Sequence, residues 1–239
     1  MRKLISLCAV FCAMTAVSSV YGQGAKILAW DESVAQRKLV WVAGEKLQLI
    51  EDLSERSRTS RLPMPAEGKP MILRALDTPS ATAKPPLPHT DMVIPNPQGI
   101  TRPLILLLPD KKAATGLRLL VVDDSQQGFG WGSAKIFNTF GANILIKCGE
   151  KVARLPANWT PVLVRPDLKP DAATQVQMAF EKEANKLLYD SVWNITDQTR
   201  ILAFIIKPED LRQGELGVKM IAESREQAAL ENKAAQTNP

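Results

Sequence analysis

From residue 38 onward the chain is a succession of short apolar runs, broken by turn residues roughly every 8–12 positions. The runs at 38–42 and 46–50 flank Ala43-Gly44-Glu45 and read as a hairpin. Residues 71–73 form a further short run. The run Leu104-Ile105-Leu106-Leu107-Leu108 is bounded by Pro103 and Pro109, the length and punctuation of a strand buried on both faces. Residues 117–122 are similar and end on Asp123-Asp124, a turn pair. The runs at 134–138 and 143–148 surround Phe140-Gly141-Ala142 and read as a second hairpin.

Residues 151–155 alternate, and 162–164 follow a Pro-Ala-Asn turn. Val176, Met178 and Phe180 alternate with Gln175, Gln177 and Glu181, the pattern of a half-buried strand. Runs at 187–193, 201–206 and 218–221 complete the set. About ten to twelve short strands are therefore expected, in an all-β antiparallel sandwich of Ig-like or jelly-roll-like type. The β/α alternation of a doubly wound parallel sheet is absent. No internal repeat of fixed period stands out.

The first 22 residues read as an address. Arg2 and Lys3 precede an uncharged apolar stretch, and Val20-Tyr21-Gly22 is a small-residue exit. This is the pattern of a secretory signal peptide cleaved near Gly22, so the protein is expected to be exported, periplasmic or secreted, with no membrane span after cleavage. Loss of Arg2 and Lys3 leaves 28 basic against 25 acidic residues, a net charge of +3, too mild to argue for nucleic acid. Cys8 and Cys12 leave with the leader, so Cys148 remains as a single thiol, expected in the core. The domain expected is 23–223, followed by a C-terminal tail at 224–239.

Two segments depart from the strand pattern. Residues 79–103 hold seven prolines and read as a loop or linker, since proline removes backbone donors. Its Pro85-Pro86-Leu87-Pro88 core also has the composition of a polyproline recognition segment. The tail at 224–239 opens with Ser224 and Gln227 at capping-box spacing, which points to a short helix, with disorder expected beyond Asn232.

Four constellations bear on chemistry. Gly128-Phe129-Gly130-Trp131-Gly132-Ser133 is glycine-rich, but no Lys-Ser/Thr follows and a strand-like run comes next, so it reads as a wide turn. Asp110, Asp123 and Asp124 lie at strand ends without a calcium-loop pattern. With Asp190 and Glu150 they are the carboxylates a glycoside-active site would draw on, two of them in one pocket. His89 is the single histidine and sits in the proline-rich segment, a poor setting for a general base. Of five tryptophans, Trp41 and Trp193 lie in strands and are expected in the core. Trp131 and Trp159 lie at turns and are the candidates for ligand binding by stacking. No catalytic, cofactor or metal residues are assigned, and no cofactor is expected.

Val122-Asp123-Asp124, the block from Phe129 to Asn138, the strand around Trp193 and Arg200-Ile201-Leu202-Ala203-Phe204 carry a resemblance. Over about residues 117–207 the chain resembles a group of uncharacterised, signal-peptide-bearing, β-rich bacterial proteins. The resemblance implies an exported β-rich domain and brings no activity. The reading at this level is an exported, non-enzymatic β-sandwich with a structural or partner-binding role in the cell envelope, its partner a protein or a glycan. The alternative is a carbohydrate-binding module or a carboxylate-dependent glycoside-active domain.

Overall fold

The computed structural model describes residues 24–66, 69–80, 82–95, 99–168, 173–208 and 214–237. The expected signal peptide, residues 1–22, lies outside them. The first unit comprises β1 (Gly24–Ala29), α1 (Glu32–Ala35), β2 (Leu39–Ala43), β3 (Lys46–Leu49), β4 (Leu62–Pro63), β5 (Met71–Ala75), β6 (Thr90–Ile94), β7 (Pro103–Pro109) and β8 (Leu117–Asp123). The second comprises β9 (Ser133–Asn138), β10 (Ile144–Cys148), β11 (Lys151–Leu155), β12 (Val162–Val164), β13 (Thr174–Phe180), β14 (Tyr189–Trp193), β15 (Thr199–Ile206) and β16 (Gly217–Ser224), with α2 (Arg225–Thr237) behind it.

Each unit makes two four-stranded sheets, and the orders match strand for strand. The first unit gives β4-β1-β7-β8 and β3-β2-β5-β6; the second gives β12-β9-β15-β16 and β11-β10-β13-β14. Each has one parallel pair, β1 with β7 and β9 with β15, and the other pairs are antiparallel. The registers also match. Lys26 lies opposite Leu104 and Lys135 opposite Leu202; Leu104 faces Val122 and Leu202 faces Ile221. The fold is an eight-stranded unit built twice.

The duplication is written in the sequence once the register is known. Ala25-Lys26-Ile27 returns as Ala134-Lys135-Ile136, Gly44-Glu45-Lys46 as Gly149-Glu150-Lys151, and Thr101-Arg102 as Thr199-Arg200. The duplication has no fixed period, as the sequence indicated. The equivalent positions lie 109, 105 and 98 residues apart, because connecting loops differ in length. A fixed-period reading cannot register such a drift.

Alternation along the strands builds three cores. Ala25, Ile27 and Ala29 of β1 point with Ile105 and Leu107 of β7 toward Trp41 and Leu73, closing the first sandwich. Ala134, Ile136, Ala203 and Ile205 point toward Ile146, Met178 and Trp193, closing the second. The remaining faces of the two inner sheets meet each other. Leu28, Leu104, Leu106 and Val122 pack there with Phe137, Leu202, Phe204 and Ile221. Phe137 and Phe204 stack at 5.2 Å. Four sheets are thus layered, and β1, β7, β9 and β15 are buried on both faces, as the proline-bounded run of β7 indicated.

The all-β sandwich architecture and the C-terminal helix are as expected, with sixteen strands among the described residues rather than ten to twelve. The hairpin at Gly44 is present (φ 65°), and Trp41 and Trp193 are buried. The second expected hairpin is corrected: 133–138 and 144–148 lie in different sheets. Asn138 turns that corner, its Nδ2 donating to the carbonyls of Ala142 and Leu155. The true hairpin joins β10 to β11 through Gly149 (φ 59°) and Glu150, the copy of the first. The proline-rich stretch carries β6, an edge strand, where prolines on either side remove no ladder bond. Ser224 caps α2, accepting from the Gln227 N–H at 3.1 Å, and the helix continues past Asn232 to Thr237. No helix among the described residues is long and apolar enough to cross a membrane.

Cys148 is fully buried in the second core, and burial pushes its thiol up to about 11. In native protein from Gln23 onward, a thiol reagent such as DTNB is expected to label Cys148 only as fast as the sheet opens, and at once in urea. Stoichiometric labelling of the native protein within seconds would contradict this placement.

Candidate functional site

Lysine is seldom buried, yet Lys26 and Lys135 occupy equivalent positions on the two strands that lead the units. Alternation turns both away from their own sandwich and into the space between the inner sheets, where each is nearly inaccessible. At the same end of the sheets, Arg102 lies beside Asp124, whose N–H donates to the Arg102 carbonyl at 2.9 Å. Its equivalent Arg200 lies opposite Glu223. Two copies of one Lys–Arg–acid set therefore converge at the junction.

The sets are cross-connected. Arg200 donates through Nε to Glu223 (2.6 Å), through Nη2 to Asp124 Oδ2 (3.0 Å), and through Nη1 to the carbonyls of Asp124 (3.0 Å) and Phe129 (2.8 Å). Lys26 of the first unit reaches Glu223 of the second at 3.4 Å, and Glu231 of α2 at 2.5 Å. Arg58 approaches Asp124 (3.4 Å) and Glu223 (3.6 Å). Lys135 donates to the Asp123 carbonyl. The Phe129 ring lies below these cations, 4.8 Å from Arg200 and 5.2 Å from Lys135.

The electrostatics follow. Burial pushes the Glu223 carboxyl up, but Arg58, Arg200 and Lys26 outweigh it and hold the group down at about 2. Burial lowers Lys135, against the pull of Asp123 and Asp124. Burial and the neighbouring Arg102 both lower Arg61. Beside the cluster is a recess of about 160 Å³, with Arg61, Arg102, Trp131 and Arg225 among its walls.

The two tryptophans singled out by sequence are placed apart. Trp131 lines this recess, half-buried, with the guanidinium groups of Arg200 and Arg225 at 5.1 and 5.8 Å from its ring. Trp159 takes a positive φ (62°) and packs on Trp30 at 5.5 Å, with Arg118 at 5.1 Å. The glycine-rich segment is a packed turn: Phe129 is buried, Gly132 has φ 75°, and a Cβ on Gly128 would stand 1.8 Å from the Asp123 carboxylate.

The five carboxylates have separate local uses. Asp110 and Asp123 accept from the N–H groups of Lys112 and Ser125 in their own turns. Asp124 is in the buried cluster, Asp190 accepts from Gln175 and Gln177, and Glu150 is exposed in the second hairpin. His89 lies 3.8 Å from Asp91, which the Arg74 guanidinium engages with both oxygens and holds below its ordinary range. Among the described residues no group of three His, Cys, Asp or Glu could hold a metal ion.

The chain matches no family model and no curated protein. The functional reading therefore rests on geometry. Lys26, Arg58, Arg102, Lys135, Arg200 and Glu223 were not singled out from sequence. The signal available was the repeated Ala-Lys-Ile and Thr-Arg, each placing a cation beside apolar residues.

Proposed function

We propose that the protein is an exported, non-enzymatic component of the cell envelope that binds a protein partner through the outer sheet of its first unit. The observation that carries this reading is a difference between the two copies. Across β3-β2-β5-β6, Leu47, Val42, Ile72 and Val93 form one cross-strand row on the outer face. Leu47 and Val93, at the two ends of the row, are each 61% exposed, Ile72 is half-buried and Val42 is buried. The equivalent row of the second unit is Val152, Lys147, Gln177 and Asp190.

One fold thus tolerates Lys, Gln and Asp at three of these four positions, with Val152 the exception, so a wholly apolar row is not a requirement of the sheet. An apolar row on a solvent-facing sheet is the mark of an interaction surface. Its residues are aliphatic, which suits the apolar surface of a protein better than a sugar, whose faces stack on aromatic rings. The leader-like segment supports export.

The test is site-specific photo-crosslinking in the source cells. A crosslinker at Val93 is expected to yield a discrete protein adduct, and one at the equivalent Asp190 none. Leu47→Glu should reduce the Val93 adduct about tenfold, the scale of one lost interface anchor. Recovery of the chain uncleaved from the cytoplasm, or equal crosslinking at both positions, would count against the reading.

A further inference from the structure

We propose that the recess between the two units is an oxyanion site, binding one phosphate or carboxylate group through Arg102. Arg102 and its copy, Arg200, differ in their partners, independently of the outer sheet.

Arg200 is saturated: all three of its nitrogens donate to Asp124, Glu223 or a backbone carbonyl. Arg102 occupies the same register position, beside Asp124. Yet the Asp124 carboxylate is already engaged by Arg200 on one oxygen and Arg58 on the other. Among the described residues, the Arg102 guanidinium has no hydrogen-bond or ion-pair partner. It is half-buried in the wall of the recess. A planar cation with five donors is thus held partly out of water without an acceptor.

Its surroundings increase the positive charge. Arg61 is close enough that Arg102 depresses its proton affinity, and Arg225 stands in the same recess over Trp131. The recess walls also include Asp124 and Glu223, but Arg58, Lys26 and Arg200 already neutralise both. The positive charge left over is that of Arg102 and Arg225. The complement is a compact anion with several acceptor oxygens, which Arg engages bidentately. A volume of about 160 Å³ admits one such group and falls below the pocket size typical of larger ligands.

The experiment is titration of the protein with inorganic phosphate and, separately, with acetate, at constant ionic strength. It is read by calorimetry and by intrinsic fluorescence, which Trp131 makes sensitive to the recess. Saturable binding is expected, weakened about tenfold or more in Arg102→Gln and partly retained in Arg102→Lys. Arg225→Gln should weaken it without touching the buried cluster. Preference for phosphate would assign a phosphate-bearing ligand, and preference for acetate a carboxylate-bearing one. Circular dichroism of Arg102→Gln should match the parent, since the side chain makes no bond to lose. No saturable response to either anion, or unchanged binding in Arg102→Gln, would overturn the proposal.

Discussion

Arg200→Met is expected to lower the free energy of unfolding by about 3–5 kcal/mol, the cost of removing one partner from a buried ion pair. The loss is not that of a salt bridge formed in water. Asp124 and Glu223 are nearly inaccessible, and both depend on this guanidinium. Without it, Asp124 keeps Arg58 at 3.4 Å, Glu223 keeps Lys26 and Arg58 at 3.4 and 3.6 Å, and the Phe129 carbonyl loses its Arg200 donor. Methionine fills much of the space but supplies none of the donors, so desolvated carboxylates remain undercompensated. Urea unfolding should show a lower midpoint with an unchanged slope, because the surface exposed on unfolding is the same. A loss under about 1 kcal/mol, the scale of a surface pair, would mean that water reaches the cluster.

The same residues show why sequence disclosed the architecture more readily than the site. Strand positions follow from alternation and punctuation, and these are local. The proline-bounded run of β7 is apolar at every position because both its faces are covered, and it was legible as such. Trp41 and Trp193 lie in strands and proved to be core. The pairing of strands is not local. Ser133–Asn138 precedes a turn and a strand, as a hairpin would, but its partners are β12 and β15, up to about 70 residues away in sequence. Lysine in a strand ordinarily marks a solvent face. Lys26 and Lys135 break that rule because a second sheet lies where solvent would be, and only the duplicated layering puts it there. Arg102 and Arg200 look equivalent in sequence; their difference arises from which acids the other unit delivers. The glycine-rich turn is a short-range signal, whereas the buried cluster is a property of two units meeting.

Acid should act on this junction before it acts on the sandwiches. Glu223 is held at about 2, against an ordinary value of 4.5, by cations that outweigh its burial. A carboxyl depressed in the folded state stabilises the fold above its unfolded value, and the contribution fades as pH falls from about 4.5 toward 2. At about 1.4 kcal/mol per unit, roughly 3 kcal/mol is at stake. Asp77, held at about 2 by the Arg37 hydrogen bond, titrates in the same window but is partly open to water and contributes less. Urea midpoints should therefore be level above about pH 5 and fall steeply below it. Glu223→Gln separates the two acids. The variant should be the less stable protein at neutral pH and show a much shallower acid fall, set by Asp77 and the other carboxylates. The two curves should converge toward pH 2, where protonated Glu223 carries the same charge as glutamine. Parallel curves across the window would show that Glu223 is not the group responsible. The cluster would then be a packed contact between units whose charges leave no trace in stability.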